Sequence, residues 1–199
     1  MSLAESFLSL VRKVSADVDV ERLKEEILAV ARSRPDWTTR EKAEWLVSRT
    51  AKRAAALGAV AGLPAGWGAA LAAGPELSAL LLLQSRLILG LHLLYGELPA
   101  AEERALEVLA GLATGAGIST GRRLTARAAE EVAERLVVRL AGREMSHVVP
   151  LLGALAGALL NYAAVRAVGR AALARVERLH GPPEVPGKGP VLDARGNVA

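Results

Sequence analysis

Apolar positions recur every three or four residues through most of the chain, the period of helices that bury one face. Over residues 2–15, Leu3, Phe7, Leu10, Val11 and Val14 share one side. Asp19 offers an N-cap to a second helix over about 20–33, with Val20, Leu23, Ile27, Val30 and Ala31 facing inward, and Pro35 ends it. Thr38 with Glu41 forms a capping-box pattern, so a third helix starts near 39. Its first half is charged and carries Trp45, Leu46 and Arg49, and its later half turns apolar.

From Ala54 to Pro75 no residue is charged, and Pro64 breaks or kinks the stretch. Gly74-Pro75 reads as a stop followed by a new start, opening an apolar helix over 76–96 that carries Gln84, Arg86 and His92, with Gly96 as its C′ residue. The pattern predicts further helices over about 100–114 after Pro99 and over about 120–141 (Leu124, Ala128, Val132, Leu136 and Leu140 inward), the latter stopped by Gly142. A last helix spans about 147–180 with Pro150 in its first turn, and Gly181-Pro182-Pro183 closes it. No sustained alternation bounded by hairpin turns competes. The expectation is an all-α multi-helix bundle: N-terminal amphipathic helices over 1–36, a helical domain over 37–180 with a central apolar hairpin (54–73 and 76–95), and a Pro- and Gly-rich disordered tail over 181–199.

Small residues refine that picture. Gly58, Gly62 and Gly66 stand four apart, as do Gly111 and Gly115, Gly117 and Gly121, and Gly153 and Gly157. Such spacing puts them on one helix face and lets a second backbone come close. Each glycine costs about 1 kcal/mol of helix propensity against alanine, which tight helix packing would offset. Composition agrees: hydrophobic residues make up 52% but aromatics only 3%, so the core is built from Ala, Leu and Val. The uncharged stretches 54–75 and 148–165 approach the roughly 20 residues of a membrane span. Alanine and glycine are weakly apolar, however, and Arg86 interrupts 76–96, which favours peripheral or partial insertion over a polytopic protein, with the hairpin of 54–73 and 76–95 as the expected inserting segment.

Charge and chemistry narrow the function classes. The chain has no cysteine, which excludes disulfides and thiolate sites. Its opening residues lack a signal-peptide pattern, so the expected place is the cytoplasmic side of the membrane, with the cytoplasm as the alternative. The net charge is +4, with acids interleaved among bases, which does not suit nucleic acid. His92, His147 and His180 have no local metal spacing, and GLATGAGISTGRR lacks the Lys of a phosphate-binding loop. No catalytic residue, cofactor or metal is expected. The candidate polar positions are Glu76 at a helix N-terminus, Gln84, Arg86 (its stem packed and its head reaching solvent, or, if buried, paired with Glu76, Glu97 or Glu107) and Asn161, expected to hold the 111–121 turn or a neighbouring helix end. The Gly-rich turn beside Arg122 and Arg123 is an anion-site candidate. Arg166, Arg170, Arg175 and Arg178 follow the uncharged 148–165 run as a juxtamembrane basic segment would, and are candidate contacts to an anionic surface.

The stretches GAVAGLPAGW (58–67), GPELSALLLLQSRLILGLHLLYG (74–96) and VVPLLGALAGALLNYAAVRAVGRAA (148–172) resemble the EcsC family of bacterial proteins in order and spacing. The matching positions are Gly58, Gly62, Leu63 and Pro64, then Pro75, Glu76, Arg86, Tyr95 and Gly96, then Pro150, Gly153, Gly157, Asn161 and Arg166. Ala65 stands where the family usually has Gly, and Glu76 where it usually has Asp. The resemblance implies membrane association beside an ABC transporter or another membrane component, and no established reaction. Three function classes follow: a non-enzymatic membrane-associated protein whose partner is a membrane surface or membrane protein, a soluble helical interaction module that could form a homo-oligomer, and a lipid- or small-molecule-binding protein or enzyme whose site gathers Arg86, Asn161 and Glu76.

Overall fold

The computed structural model describes residues 2–61, 75–121, 123–141 and 150–181, with the backbone alone for 60–61, 75–76, 140–141 and 150–157. Within them run seven helices and no strand: α1 (Leu3–Ala16), α2 (Val20–Ser33), α3 (Thr39–Ala61), α4 (Pro75–Leu94), α5 (Arg104–Gly115), α6 (Ala126–Ala141) and α7 (Pro150–His180).

Local chemistry sets most of the starts. Ser2 and Glu5 form a capping box at α1, in which the Ser2 Oγ accepts from the Glu5 N–H and Glu5 Oε2 accepts from the Ser2 N–H. Asp19 Oδ1 accepts from the Arg22 N–H at 3.0 Å. Thr38 and Glu41 exchange the same pair of bonds at α3. Gly96, two residues past the end of α4, takes φ 90°, a conformation that most side chains resist. Two boundaries differ from the sequence reading: α6 begins at Ala126 and not near 120, where Thr125 Oγ1 accepts from the Ala128 N–H, and α5 begins at Arg104 and not near 100. Residues 100–103 form a turn in which the Glu103 N–H bonds Ala100 O, and Glu103 gives the helix no side-chain cap.

α4 is the centre of the bundle, packing against α1, α2, α3, α5 and α7. Its Leu87, Ile88, Leu89 and Leu91 are fully buried, and Phe7, Leu8 and Val11 of α1 and Leu23 and Ile27 of α2 belong to the same core. One helix among the described residues, Leu77–Leu94, is long and apolar enough to cross a membrane, and 72% of it is buried inside the bundle. Most of this arm of the hairpin expected to insert is therefore covered by protein. The other arm of the expected hairpin lies outside the described residues beyond Ala61, as do Gly62, Pro64, Gly66, Gly142 and the tail beyond Gly181.

α3 and α7 make the most extensive contact in the bundle. Three points fix their register. Asn161 Nδ2 donates to Ala54 O, Gly169 lies under Val47, and Arg40 pairs with Glu177. Rising numbers on one helix meet falling numbers on the other, so the pair is antiparallel.

α5 crosses α7 the same way. A Cβ added at Gly111 would meet Ile88 and Ala172, and one at Gly115 would lie 2.6 Å from the Cα of Val168. These two glycines do back onto neighbouring helices, whereas Gly117 and Gly121 sit in the turn after α5 and on no helix face. Gly58 is buried, and the surroundings of Gly153 and Gly157 lie outside the described side chains. Gly115→Ala must displace backbone, while Gly121→Ala meets only Arg123 O at 3.8 Å. Denaturant titration is expected to show Gly115→Ala destabilised by about 1–3 kcal/mol, despite its better helix propensity, and Gly121→Ala within about 0.5 kcal/mol of the parent.

Candidate functional site

Two regions stand apart from the general core: a buried polar network at one end of the α3–α7 pair, and an opposite end at which α3 and α7 carry no charge while α4 begins with Pro75 and Glu76 level with it.

The network gathers on α4, α5 and α7. Arg175 is buried and donates from Nε to Glu107 Oε2 at 3.0 Å and from Nη2 to Glu107 Oε1 at 3.2 Å. Its Nη1 donates to Gly121 O at 2.8 Å, which ties the turn after α5 to the last helix. Such a two-bond fork suits a planar guanidinium facing a carboxylate. His92, buried on α4, brings Nε2 to 3.7 Å from Glu107 Oε2, beyond hydrogen-bond length, and its ring stands edge-on to that of His180 with centroids 5.8 Å apart. His180 Nδ1 pairs with Glu97 Oε2 at 3.3 Å. Nearby, Tyr95 Oη donates to Glu177 Oε1, which also takes Arg40.

Burial pushes the Glu107 carboxyl up, but His92 and the Arg175 guanidinium more than reverse this and hold it at about 2. Burial, with His92 beside it, lowers the His180 imidazole against the opposing pull of Glu97. Burial raises the Tyr95 phenol, reinforced by the Glu177 charge and hydrogen bond. No group of three or more metal-ligating side chains forms among the described residues.

This geometry revises several expectations. Arg175 is no surface contact: it falls on the buried stripe of α7 with Val165, Val168 and Ala172, where only a buried carboxylate satisfies it. Arg86 pairs with Glu26 of α2 at 3.0 Å and not with Glu76, Glu97 or Glu107, because its side of α4 faces α2. Asn161 binds Ala54 O within α3, and neither the 111–121 turn nor a helix end. Arg86 and Asn161 thus meet different helices, and the Glu76 side chain lies outside the described set, as do His147 and Arg122. Gln84 is buried. In the Gly-rich turn Arg175 Nη1 donates to Gly121 O and the Arg139 guanidinium lies beside Gly117.

The opposite end has other chemistry. Beyond the Asn161–Ala54 contact, Leu57 is 41% exposed, Leu159 61% and Leu160 39%. Below them lie cations only: the sequence carries no acid between Glu44 and Glu76 or between Glu144 and Glu177. Lys52, Arg53 and Arg170 are exposed, and Arg178 is exposed near the other end. Arg49 lies 5.0 Å over the Trp45 ring, while Arg166 lies 5.7 Å over Tyr162 and donates to its hydroxyl at 2.7 Å. Sequence reasoning named Arg166 and Arg170 but missed Arg49, Lys52 and Arg53, whose signal was the long run without an acid.

Comparison with family models, curated proteins and solved structures finds no match to this chain. The EcsC resemblance therefore rests on its motifs alone.

The sign of the acid response follows from the network. Glu107 binds fewer protons folded than unfolded, so its contribution is complete above pH about 4.5 and is lost as pH falls towards 2. The lowered His180 acts the same way from 6.5 downward. Glu107→Gln leaves Arg175 buried beside a neutral group. Thermal melts are expected to show it less stable than the parent at pH 7 by a few kcal/mol, with the gap closing as pH approaches 2.

Proposed function

We propose that this chain is a non-enzymatic, membrane-associated helical protein that meets the bilayer through the charge-free end of the α3–α7 pair. The observation that carries the reading is the exposure of Leu57, Leu159 and Leu160 together on that end. Water-facing helix ends ordinarily carry charge, and contiguous exposed apolar surface marks a contact. The uncharged sequence continues from Ala54 through Pro75 and from Val148 to Val165, so the same character extends along both arms. The reading assigns no reaction to the buried network, since both Glu107 oxygens are engaged by Arg175. The EcsC resemblance supports membrane association; the proposed partner is an ABC transporter or another membrane component, and the proposed location is the cytoplasmic face.

Fractionation tests this. The full chain is expected in the membrane fraction, with Leu159→Glu combined with Leu160→Glu releasing it. Burying one leucine side chain contributes about 1.5–3 kcal/mol, so the double variant should partition at least tenfold more weakly. A parent protein recovered wholly in the soluble fraction would overturn the reading and favour a soluble interaction module.

A further inference from the structure

We infer that Arg49, Lys52 and Arg53 of α3 with Arg166 and Arg170 of α7 form a cationic girdle that binds the phosphate groups of acidic phospholipids and seats the end beyond it in a single leaflet. This deepens the membrane reading above and rests on it.

The antiparallel register carries the argument. Ala54 meets Asn161 and Val47 meets Gly169, so residues 49–53 of α3 lie level with about 162–167 of α7. Arg166 thus lies level with Arg49, and Arg170 one turn farther towards Glu177, so the five cations fall within about two turns of the helix pair, although more than a hundred residues separate the two groups in the chain. Of the acids of the two helices, Glu44 lies at the edge of the band beside Trp45, where Arg40 pairs with it, and Glu177 lies beyond, held by Arg40 and Tyr95. Trp45 and Tyr162 lie at the same band with arginines over their rings. Amphipathic rings with cations suit the headgroup layer, where an apolar body and a polar tip are both satisfied.

Length sets the depth. From Asn161 back to Pro150, α7 extends about 17 Å, and from Ala54 to Ala61, α3 extends about 10 Å, at about 1.5 Å per residue. Half of a hydrocarbon core of about 30 Å is about 15 Å. The end therefore reaches about the depth of one leaflet while the girdle stays with the phosphates, and the capped, ion-paired far end remains in water. A neutral bilayer would take the leucines but leave the band without counter-charge.

The test uses the purified full chain with vesicles of phosphatidylcholine alone or with added phosphatidylglycerol. Binding is expected to favour the anionic vesicles and to weaken as salt rises. Each cation near an anionic surface is worth about fivefold in binding. The three exposed positions avoid disturbing the ring contacts, so Lys52→Glu, Arg53→Glu and Arg170→Glu combined should lose at least a hundredfold on anionic vesicles, with the helical melt checked in parallel. Since the described chain has no cysteine, Leu159→Cys gives one labelling site, and an environment-sensitive probe there should shift to the blue on anionic vesicles. Equal binding to both vesicle types would overturn the girdle while leaving the membrane reading standing. Absence of binding to either would overturn both. Bound vesicles with unshifted probe emission would overturn the single-leaflet seating.

Discussion

Helix α4 is apolar on nearly every side, and covering most of it organises the rest of the molecule. Its leucines and isoleucine contact five other helices, so α1 and α2 serve as walls of the same core that α3, α5 and α7 complete. The cost of a buried polar atom then dictates where the polar clusters form. Arg86 emerges towards α2 and is met by Glu26. His92 emerges between α5 and α7, where Glu107 and Arg175 already face each other. The ion pairs are thus arranged around the few polar positions of an apolar helix.

The α3–α7 pair carries two opposed chemistries along one axis. At the start of α3 and the close of α7, Arg40, Glu177 and Tyr95 link the helices through a shared carboxylate. Past the Asn161–Ala54 contact the side chains become small or leucine-like, and the carboxylates stop well before the cations do. A water-soluble bundle would ordinarily alternate both signs over its whole surface. Here one end is a salt-bridged base, and the other is an apolar tip with a positive margin.

What could be read in the sequence was local. Asp19, the Thr38–Glu41 pair and Gly96 announce their helix boundaries because each acts within four residues. The start of α5 was misplaced because Pro99 imitates a first helical residue, while the chain makes a further turn at Ala100. The long-range pairings were not legible. Glu107 lies 68 residues from Arg175, and four closely spaced arginines on α7 look alike until the packing stripe is drawn through Val168, Ala172 and Val176. Arg175 falls within that stripe and Arg170 and Arg178 do not. The alignment of two positive runs into one band is legible only after the antiparallel register is known.

That register has a consequence for how the chain is made. The Asn161–Ala54 bond closes a separation of 107 residues, so the apolar half of α3 leaves the ribosome long before the helix that lies along it. Until α7 arrives, α3 exposes the surface that will be its largest contact, a window in which nascent chains aggregate or engage chaperones. The helices between can settle around α4 first, leaving a groove along α3. Docking of α7 into that groove completes the largest contact of α3 and brings the two helices of the tip together.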